Sequence, residues 1–351
     1  MYKRLLLLCC LVGIVSLQAD PVEVVRRIDK SYTVDPQTVL EIRNRQGRVE
    51  VETWDRAEVF IEIEVIARGA TEEQAQQRLG QVDIRERTYG DKIQWETRIN
   101  SQQGLSVSNK DFEIRYALHL PSTHPLEIEN RGGDVVLGRR EANVDLDLRN
   151  SKLTIDRLEG QGNRLRLYMG DAQIGYFAGG DIDVTLGGLS IPEAGDTYLK
   201  TSTARVRLGR VEALELYASL GDIEIDSIGN FVGEINASDC YVGRLAGTAS
   251  LDLRYAPPFE IGEVLPGAGP LDLVGTATGF RIALGADTPL LLDAEVEHTD
   301  FDATGEGIVV EESEDRPLRT YRSSTDAVAR GATPVEVNIR NRYGSVKIWR
   351  K

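Results

Sequence analysis

Thr197–Ile228 reads TYLKTSTARVRLGRVEALELYASLGDIEIDSI, and it decides the fold because its apolar pattern repeats. Ile191, Leu208, Ile225 and Val242 follow one another at equal steps along the chain. Apolar and polar residues alternate around each of these positions, which places the apolar side chains on one face of a strand. The spacing therefore predicts short strands that recur once in every repeat unit.

The repeat extends in both directions, from about Val144 to about Val264. Each unit carries an apolar pair, and the steps between successive pairs are equal except for the first and the last, which are slightly longer. The pairs are Ile155 and Leu158, Ile174 and Phe177, Ile191 and Ala194, Leu208 and Val211, Ile225 and Ile228, Val242 and Leu245, and Ile261 and Val264.

A single unit cannot bury its apolar face alone, so successive units must stack. A unit of about 17 residues is too short for a propeller blade or a leucine-rich repeat, and no stretch with the helical period interrupts the array. We predict an all-β fold, a β-solenoid whose coils of about 17 residues hold two or three short strands and stack about 4.8 Å apart. In this register Ile225 faces the core between Leu208 and Val242, whereas Glu224 faces water.

Gly-Asp pairs recur before the second strand of a unit, at Gly133-Asp134, Gly170-Asp171 and Gly221-Asp222. Glycine adopts a positive φ without strain, and aspartate can bond the backbone two residues ahead. We interpret these pairs as tight turns in which glycine supplies the positive φ. The glycine-rich nonapeptide of calcium-binding solenoids is absent from the sequence, so we predict no metal site.

The amino-terminal segment Met1–Ala19 has the pattern of a secretory signal peptide. Lys3 and Arg4 precede an apolar core, Leu5–Val15, and a small residue, Ala19, ends the segment. The apolar run is shorter than the roughly 20 residues of a spanning helix. We predict an exported protein in the periplasm, on the cell surface or outside the cell, with no membrane span.

The chain is acidic, with a net charge of −15. Cleavage after Ala19 removes Lys3 and Arg4 and no acid, which gives −15 − 2 = −17. Such a surface argues against nucleic acid and anionic lipid as partners. Cys240 is the one cysteine that follows the signal segment, so we predict no internal disulfide and an inward-facing thiol.

Residues 20–124 are predicted to hold a first coil and a β-rich capping region. Leu40–Val51 reads as strand, glycine turn and strand, and a helix near residues 71–80 begins with Thr71 as its N-cap. Ser101–Asn109 is polar and predicted to be a loop. Strands in this region cover a solenoid end that would otherwise be an open edge.

Residues 125–351 are predicted to form the solenoid repeats. A charged, proline-containing segment near residues 304–333 breaks the pattern, and we predict a mobile surface loop there. Pro334–Trp349 repeats the first coil, down to Ile-Arg-Asn-Arg-x-Gly, so the array is expected to begin and end on one motif.

Three segments share the pattern Asn-x-x-Gly between two strands: Asn44–Gly47, Asn130–Gly133 and Asn341–Gly344. At these residues the chain resembles the bacterial cell-envelope proteins called putative adhesins, or head-domain adhesin-like β-solenoid proteins. The resemblance covers about residues 30–350 and rests on the style of the repeat. It implies an exported binding protein, and it supplies no catalytic or cofactor-binding residues.

A search for chemistry yields no catalytic, cofactor-binding or metal-binding residue. His119, His124 and His298 lack the spacing of metal ligands, and no nucleophile elbow or phosphate loop occurs. Outward positions of first strands form a charged column, which we interpret as cross-coil pairing, for example Arg166 with Asp183 and Lys200 with Glu215. The members of the column are Asp147, Arg166, Asp183, Lys200, Glu215 and Asp252.

The sequence favours a non-enzymatic envelope protein that binds an unknown protein or glycan, with its oligomeric state left open. The alternative is a carbohydrate-active enzyme, a polysaccharide lyase or hydrolase that uses paired acids on the same scaffold. A purely structural or stress-related periplasmic role is a third hypothesis. Trp54 and Trp349 end matching coils, where we expect packing rather than sugar stacking.

Overall fold

A computed structural model describes residues 21–100, 111–286, 288–305, 308, 310–315, 317–324 and 333–351. The predicted signal peptide Met1–Ala19 and the predicted loop Ser101–Asn109 lie outside these residues. One helix, α1 (Glu72–Leu79), accompanies the strands in the described part of the chain. The strands are β1 (Val22–Thr33), β2 (Val39–Arg45), β3 (Gly47–Thr53), β4 (Glu58–Gly69), β5 (Val82–Tyr89), β6 (Lys92–Ile99), β7 (Phe112–Leu120), β8 (Leu126–Leu137), β9 (Val144–Leu158), β10 (Asn163–Tyr168), β11 (Asp171–Thr185), β12 (Gly188–Ser202), β13 (Arg205–Ser219), β14 (Asp222–Asn236), β15 (Asp239–Leu245), β16 (Ala249–Arg254), β17 (Phe259–Val264), β18 (Leu271–Leu284), β19 (Leu290–Thr304), β20 (Val310–Asp315), β21 (Leu318–Ser324) and β22 (Val335–Arg350).

The middle of the chain is a stack of parallel coils in the predicted register. Leu208 pairs with Ile225, and Ile225 pairs with Val242, so each of these residues lies one repeat beyond its neighbour. All three side chains are buried, whereas Glu224 is exposed. The all-β fold and its repeat of stacked parallel coils are thus confirmed.

The glycine turns differ in part from the prediction. Gly133 has a positive φ of 113°, as expected, but at Gly170 and Gly221 the positive φ belongs to the preceding residue, such as Leu220 with φ 56°. A Cβ atom on Gly221 would lie 2.4 Å from the carbonyl oxygen of Ala204 in the neighbouring coil. Glycine is therefore required there by the close approach of two coils, and not by its backbone angles.

The first coil lies inside the stack. β2 pairs in parallel with β8 on one side and β6 on the other, while β3 pairs with β8 and β7. β4 then pairs antiparallel with both β7 and β1. The predicted helix is confirmed as α1, whose N-cap Thr71 accepts a hydrogen bond from the Gln74 amide at 3.3 Å.

The three Asn-x-x-Gly segments place their asparagines inside the solenoid. Asn44 Nδ2 donates to Asn130 Oδ1 at 3.0 Å, and Asn130 Nδ2 donates to Ser151 Oγ at 3.3 Å. Near the other end, Asn341 Nδ2 donates to the carbonyl oxygen of Thr278 at 3.3 Å. Because these amides are buried, each partner satisfies a group that would otherwise be costly. The motif is a structural element of the coil corner.

The last coil in the sequence does not end the stack, contrary to expectation. β22 pairs in parallel with β18 and also with β19, so it lies between two coils that precede it in the chain. Ile339, for example, has Leu273 and Ala294 as its two partners. The motif shared with the first coil predicts a coil but not its neighbours.

The prediction of a mobile loop near residues 304–333 is wrong for the described residues of that segment. β20 and β21 form an antiparallel hairpin, and β21 also pairs antiparallel with β19. The charges that suggested a loop face one another across the strands, as Glu311 does with Arg322. Tyr321 is buried and stacks on Phe301 with ring centroids 4.1 Å apart. The hairpin thereby pairs with the edge of β19 that β22 does not occupy.

Candidate binding surface

One corner of the solenoid is built from residues in the left-handed backbone region. Met169, Leu186, Leu220 and Tyr255 have φ of 55°, 56°, 56° and 53°. Their amides continue the ladder between coils: Met169 N–H donates to the carbonyl oxygen of Thr185 at 2.9 Å. The other corner residues with this conformation are Gln46, Asn150, Thr203, Ala237, Ala277, His298 and Tyr343.

Five of these corner residues are large, apolar and exposed. Their exposed fractions are 47% for Met169, 45% for Leu186, 60% for Leu220, 69% for Tyr255 and 48% for Tyr343. A side chain in this conformation costs about 1–2 kcal/mol, so glycine or asparagine usually occupies such positions. We call the row of corner residues from Met169 to Tyr255 the corner ridge; Thr203 and Ala237 lie between its large apolar members. Large apolar residues are unusual at these positions, because both their exposure to solvent and their left-handed backbone conformation are energetically unfavourable.

A shallow groove of about 1020 Å³ follows the corner ridge on the side of the second strand of each coil. Gly187 and Gly188 line it, together with Thr203 and Leu220 of the ridge. We call it the corner groove. Its charged lining residues are Lys152, Asp171, Arg205, Arg207, Asp222 and Asp239.

The predicted charged column is correct in part. Asp147, Arg166, Asp183 and Lys200 are in register from coil to coil, but Lys200 is followed by Tyr217 rather than Glu215. Glu215 instead pairs with Tyr198, one outward position away. Asp252 pairs with Glu234 in the same column.

The expected partner of Arg166 is also different. Its guanidinium lies 3.2 Å from Asp145 Oδ1 and 3.6 Å from Asp147 Oδ2, both in the preceding coil, and these are its ion pairs in place of Asp183. Arg164 reaches Asp145 and Asp181 at 3.5 and 4.0 Å. These surface pairs reduce repulsion between acids of neighbouring coils and are worth under about 1 kcal/mol each.

The aromatic and histidine candidates are packed against neighbours. Trp54 Nε1 donates to the carbonyl oxygen of Glu58 at 2.7 Å, and its ring lies 5.4 Å from that of His119. Trp349 pairs with Ala283 and Thr304 at the end of its coil. His298 stacks on Tyr343 with ring centroids 5.2 Å apart.

His124 is buried beside a buried arginine. Its Nε2 lies 2.9 Å from the carbonyl oxygen of Asp35, and Arg140 donates to the carbonyl oxygens of His124 and Pro121. Burial lowers the pKa of Arg140 to about 10. Burial also lowers the pKa of His124, with a smaller effect from the charge of Arg140. Their hydrogen bonds hold the segment between β7 and β8 in place.

Two further buried groups are structural. Glu41 accepts hydrogen bonds from Arg43 at 2.6 Å, Gln94 at 2.8 Å and Tyr89 at 3.0 Å. Burial opposes its ionisation, but these donors and the charge of Arg43 outweigh burial and lower the pKa of Glu41. Cys240 faces the core as predicted, and burial raises the pKa of its thiol.

Within the described ranges, no group of three or more His, Cys, Asp or Glu side chains is arranged to hold a metal ion. The described residues likewise contain no helix long and apolar enough to cross a membrane. The surface feature that sequence reasoning missed is the corner ridge. Its signal is a bulky apolar residue directly before a glycine turn, as in Met169-Gly170 and Leu220-Gly221.

No family model matches the sequence, and no curated protein matches it either. Among solved structures, the chain is similar to a putative cell adhesion protein from Clostridium sporogenes, with 11% identity, a TM-score of 0.21, and coverage of 93% of this chain and 100% of that one. A putative adhesin from Bacteroides fragilis has 9% identity, a TM-score of 0.28, and coverage of 93% and 97%. A putative adhesin from Parabacteroides merdae has 10% identity, a TM-score of 0.25, and coverage of 92% and 96%. All three come from bacteria. They are described as adhesins or as a cell adhesion protein, which is also the name of the group that the Asn-x-x-Gly segments resemble.

Proposed function

We propose that this chain is an exported, non-enzymatic protein of the bacterial cell envelope that binds a protein or glycan through the corner ridge. The observation that carries the proposal is the row of large apolar side chains held exposed in a strained backbone conformation. Strain of this kind gathers at binding sites, where the surrounding structure enforces it. An exposed apolar row is also a feature of interaction surfaces.

The export part of the proposal rests on the Lys3-Arg4 charges, the apolar run Leu5–Val15 and the small residue Ala19. After cleavage the protein stays in the periplasm, is displayed on the surface or is released. Amino-terminal sequencing of the protein recovered from a bacterial host tests this step. A mature chain that begins at Asp20 supports it, and an intact Met1 in the cytoplasmic fraction contradicts it.

The binding experiment compares the mature chain with a variant that carries Leu186→Asn, Leu220→Asn and Tyr255→Asn. Asparagine tolerates the left-handed region, so the variant keeps the corner while losing its apolar side chains. The matched control carries Val232→Asn, Val274→Asn and Leu291→Asn, three exposed apolar residues of the strands away from the corner. Both variants and the parent are applied to a glycan array and to immobilised bacterial envelope fractions.

We expect the ridge variant to lose binding at least tenfold, while the control retains it. Equal binding by the ridge variant and the parent would contradict the proposal. The non-enzymatic part is tested separately, by incubating the mature chain with acidic and neutral polysaccharides. Release of reducing ends or unsaturated products above the blank would favour the carbohydrate-active alternative.

A further inference from the structure

A row of hydrogen-bond donors lies beside the corner ridge, on the side of the first strands. It is made of the last outward residue of each first strand, and successive members are partners across the parallel ladders. Each member directly precedes a corner residue of positive φ, as Arg149 precedes Asn150. The row begins at Arg45, and the coil that follows Arg342 places Glu297 in the same position. We call the part from Arg45 to Arg342 the donor row.

The donor row has arginines near both ends and neutral donors between them. Arg45, Arg131 and Arg149 occupy successive coils at one end. Arg254 and Arg342 lie two coils apart near the other end. The remaining members are neutral side chains that can donate a hydrogen bond: Tyr168, Thr185, Ser202, Ser219, Asn236 and Thr276. None of these described positions holds an acid, although the chain has 56 Asp and Glu residues against 41 Lys and Arg. All of them are exposed or half-buried, so the row is open to a ligand.

The outward rows on either side differ from the donor row, because acids recur in both. The acids of the row two residues earlier on the first strands include Glu129, Asp147, Asp183 and Glu234. The acids beyond the corner, on the second strands, include Asp134, Asp171, Asp222 and Asp239. The absence of acids from the donor row is therefore a local departure from the charge of the chain.

Three like charges are stacked at the amino-terminal end of the donor row. Arg45, Arg131 and Arg149 follow one another at the coil spacing of about 4.8 Å. Like charges that lie directly opposite on neighbouring strands destabilise a sheet. A negatively charged ligand removes this cost, so the arrangement favours an anionic partner.

The protein neutralises these three arginines only in part. Arg131 donates to Glu129 Oε1 at 2.7 Å, and Arg149 Nε lies 3.8 Å from Asp147 Oδ1. Arg45 makes no ion pair with any residue that the structure describes. Exposed pairs contribute little, so exchanging them for contacts to a ligand loses little. The planar guanidinium matches a carboxylate through two parallel hydrogen bonds, which suits arginine to this class of anion.

We propose that the donor row binds a linear, carboxylate-bearing glycan that lies lengthwise along the solenoid. The row is about 48 Å long, so a ligand that uses all of it is an extended polymer. The arginines pair with carboxylates, and the neutral donors bond to sugar hydroxyls. Tyr168 is 45% exposed and offers a ring for stacking, while the corner ridge contacts the apolar faces of the sugars. The inference rests on the proposed function and deepens it, because it names the chemical class of the glycan.

The neutral middle of the donor row favours a glycan over a polymer with a charge on every unit. Between Arg149 and Arg254 the row offers only neutral donors over about 29 Å. A nucleic acid carries a phosphate on every nucleotide and would bring these charges against Asp183 and Glu234 of the adjacent row. The net charge of the chain, −15, adds to that repulsion. A glycan in which neutral sugars separate the acidic ones has a lower charge density and avoids both penalties.

The test measures binding of the mature chain to immobilised hyaluronate, in which acidic and neutral sugars alternate, over a series of salt concentrations up to about 0.15 M. The parent should bind hyaluronate at least tenfold more tightly than its methyl ester, which has the same backbone without the charges. A variant with Arg45→Gln, Arg131→Gln and Arg149→Gln should bind at least tenfold more weakly than the parent. Its binding should also depend less steeply on salt, because fewer ionic contacts form. Tyr168→Ser should weaken binding severalfold and leave the salt dependence unchanged, because it removes stacking and no charge.

The matched control carries Arg210→Gln, Arg281→Gln and Arg322→Gln, three exposed arginines outside the donor row. It loses the same total charge as the arginine variant and should bind hyaluronate like the parent. Circular dichroism checks that each variant is folded. Should the arginine variant fail to fold, Arg254→Gln with Arg342→Gln gives the same test at the other end of the row.

A parent chain that does not bind hyaluronate, or that binds the methyl ester equally well, overturns the inference. A control that loses as much binding as the arginine variant overturns it too, as does unchanged binding by Tyr168→Ser. Tighter binding of single-stranded DNA or polyphosphate than of hyaluronate would show that the row takes a phosphate polymer instead. If hyaluronate is not bound but the ridge variant still loses binding to other glycans or envelope fractions, the inference falls and the proposed function stands. A ridge variant that binds every ligand like the parent contradicts the proposed function.

Discussion

Ile225 and Val242 are direct partners across a parallel ladder, and both side chains are buried although they belong to successive coils of the repeat. The adjacent residue Glu224 faces water, where it lies 3.5 Å from Arg207. A slip of one residue would exchange these faces. The burial of Ile225 and the exposure of Glu224 therefore show which register the stacked coils adopt.

Ile225→Asp should lower the free energy of unfolding by more than about 4 kcal/mol or abolish folding, because it buries a charge without a partner. Glu224→Gln should change it by less than about 0.5 kcal/mol, the usual scale for an exposed site. Denaturant midpoints of both variants check the prediction. A tolerated aspartate at position 225 together with a severe effect at position 224 would invalidate the register.

Leu220→Asn should raise the free energy of unfolding by several tenths to about 1 kcal/mol, because asparagine relieves the strain of a bulky residue at positive φ. Val232→Asn is the matched comparison, since Val232 is also exposed but lies in an extended strand. There asparagine is unfavourable, so that variant should lose stability. Chemical denaturation reports both values, and a loss at Leu220 equal to that at Val232 would mean that the corner is not strained.

Stability should depend on pH through Glu41. Its folded pKa is depressed below the ordinary value of 4.5, because donors from Arg43, Tyr89 and Gln94 outweigh burial. A depressed pKa contributes stability that is present above the unfolded value and is lost as pH falls through the folded one. The parent should exceed Glu41→Gln by about 2 kcal/mol at neutral pH. That difference should begin to shrink as pH falls below 4.5 and should be lost once pH has passed below the depressed folded pKa of Glu41. A gap that is unchanged in acid would disprove the role of the carboxylate.

Cys240 should not react with a thiol reagent in the native protein, because burial both blocks access and raises the pKa of the thiol. In denaturant the mature chain should take up one label per molecule. Mass spectrometry over a denaturant series reads out the transition. Rapid labelling without denaturant would show that the coil around Cys240 opens locally.

β22 should exchange its amide protons as slowly as β13, because it is hydrogen-bonded to a coil on each side. A strand at the end of a stack would exchange faster, since one of its edges lacks a partner. Hydrogen exchange resolved by peptide distinguishes the two cases. β20, which pairs with β21 alone among the described strands, provides the fast-exchanging comparison within the same chain.

The period of the sequence predicted the coils, their spacing and the buried face, because each inward residue repeats at a fixed step. The alternation does not extend to Leu220: it continues in the sequence through Leu216 and Ala218, but the left-handed bend at Leu220 turns that side chain outward. The period did not predict the position of β22 between β18 and β19. Parallel coils present the same register to every neighbour, so a matching motif does not determine which coils are adjacent. The corner ridge arises from those same bends, and a period of two residues contains no information about them.

The place of β22 has a consequence for the order in which the chain can assemble. Folding that advances coil by coil from β8 comes to a halt at β18, because the next layer is made of residues 335–350 rather than the residues that follow directly. β19 is synthesised first and has no native parallel partner until β22 arrives. During synthesis, which delivers the amino-terminal part first, the exposed edges of β18 and β19 can therefore pair wrongly with each other until β22 inserts between them.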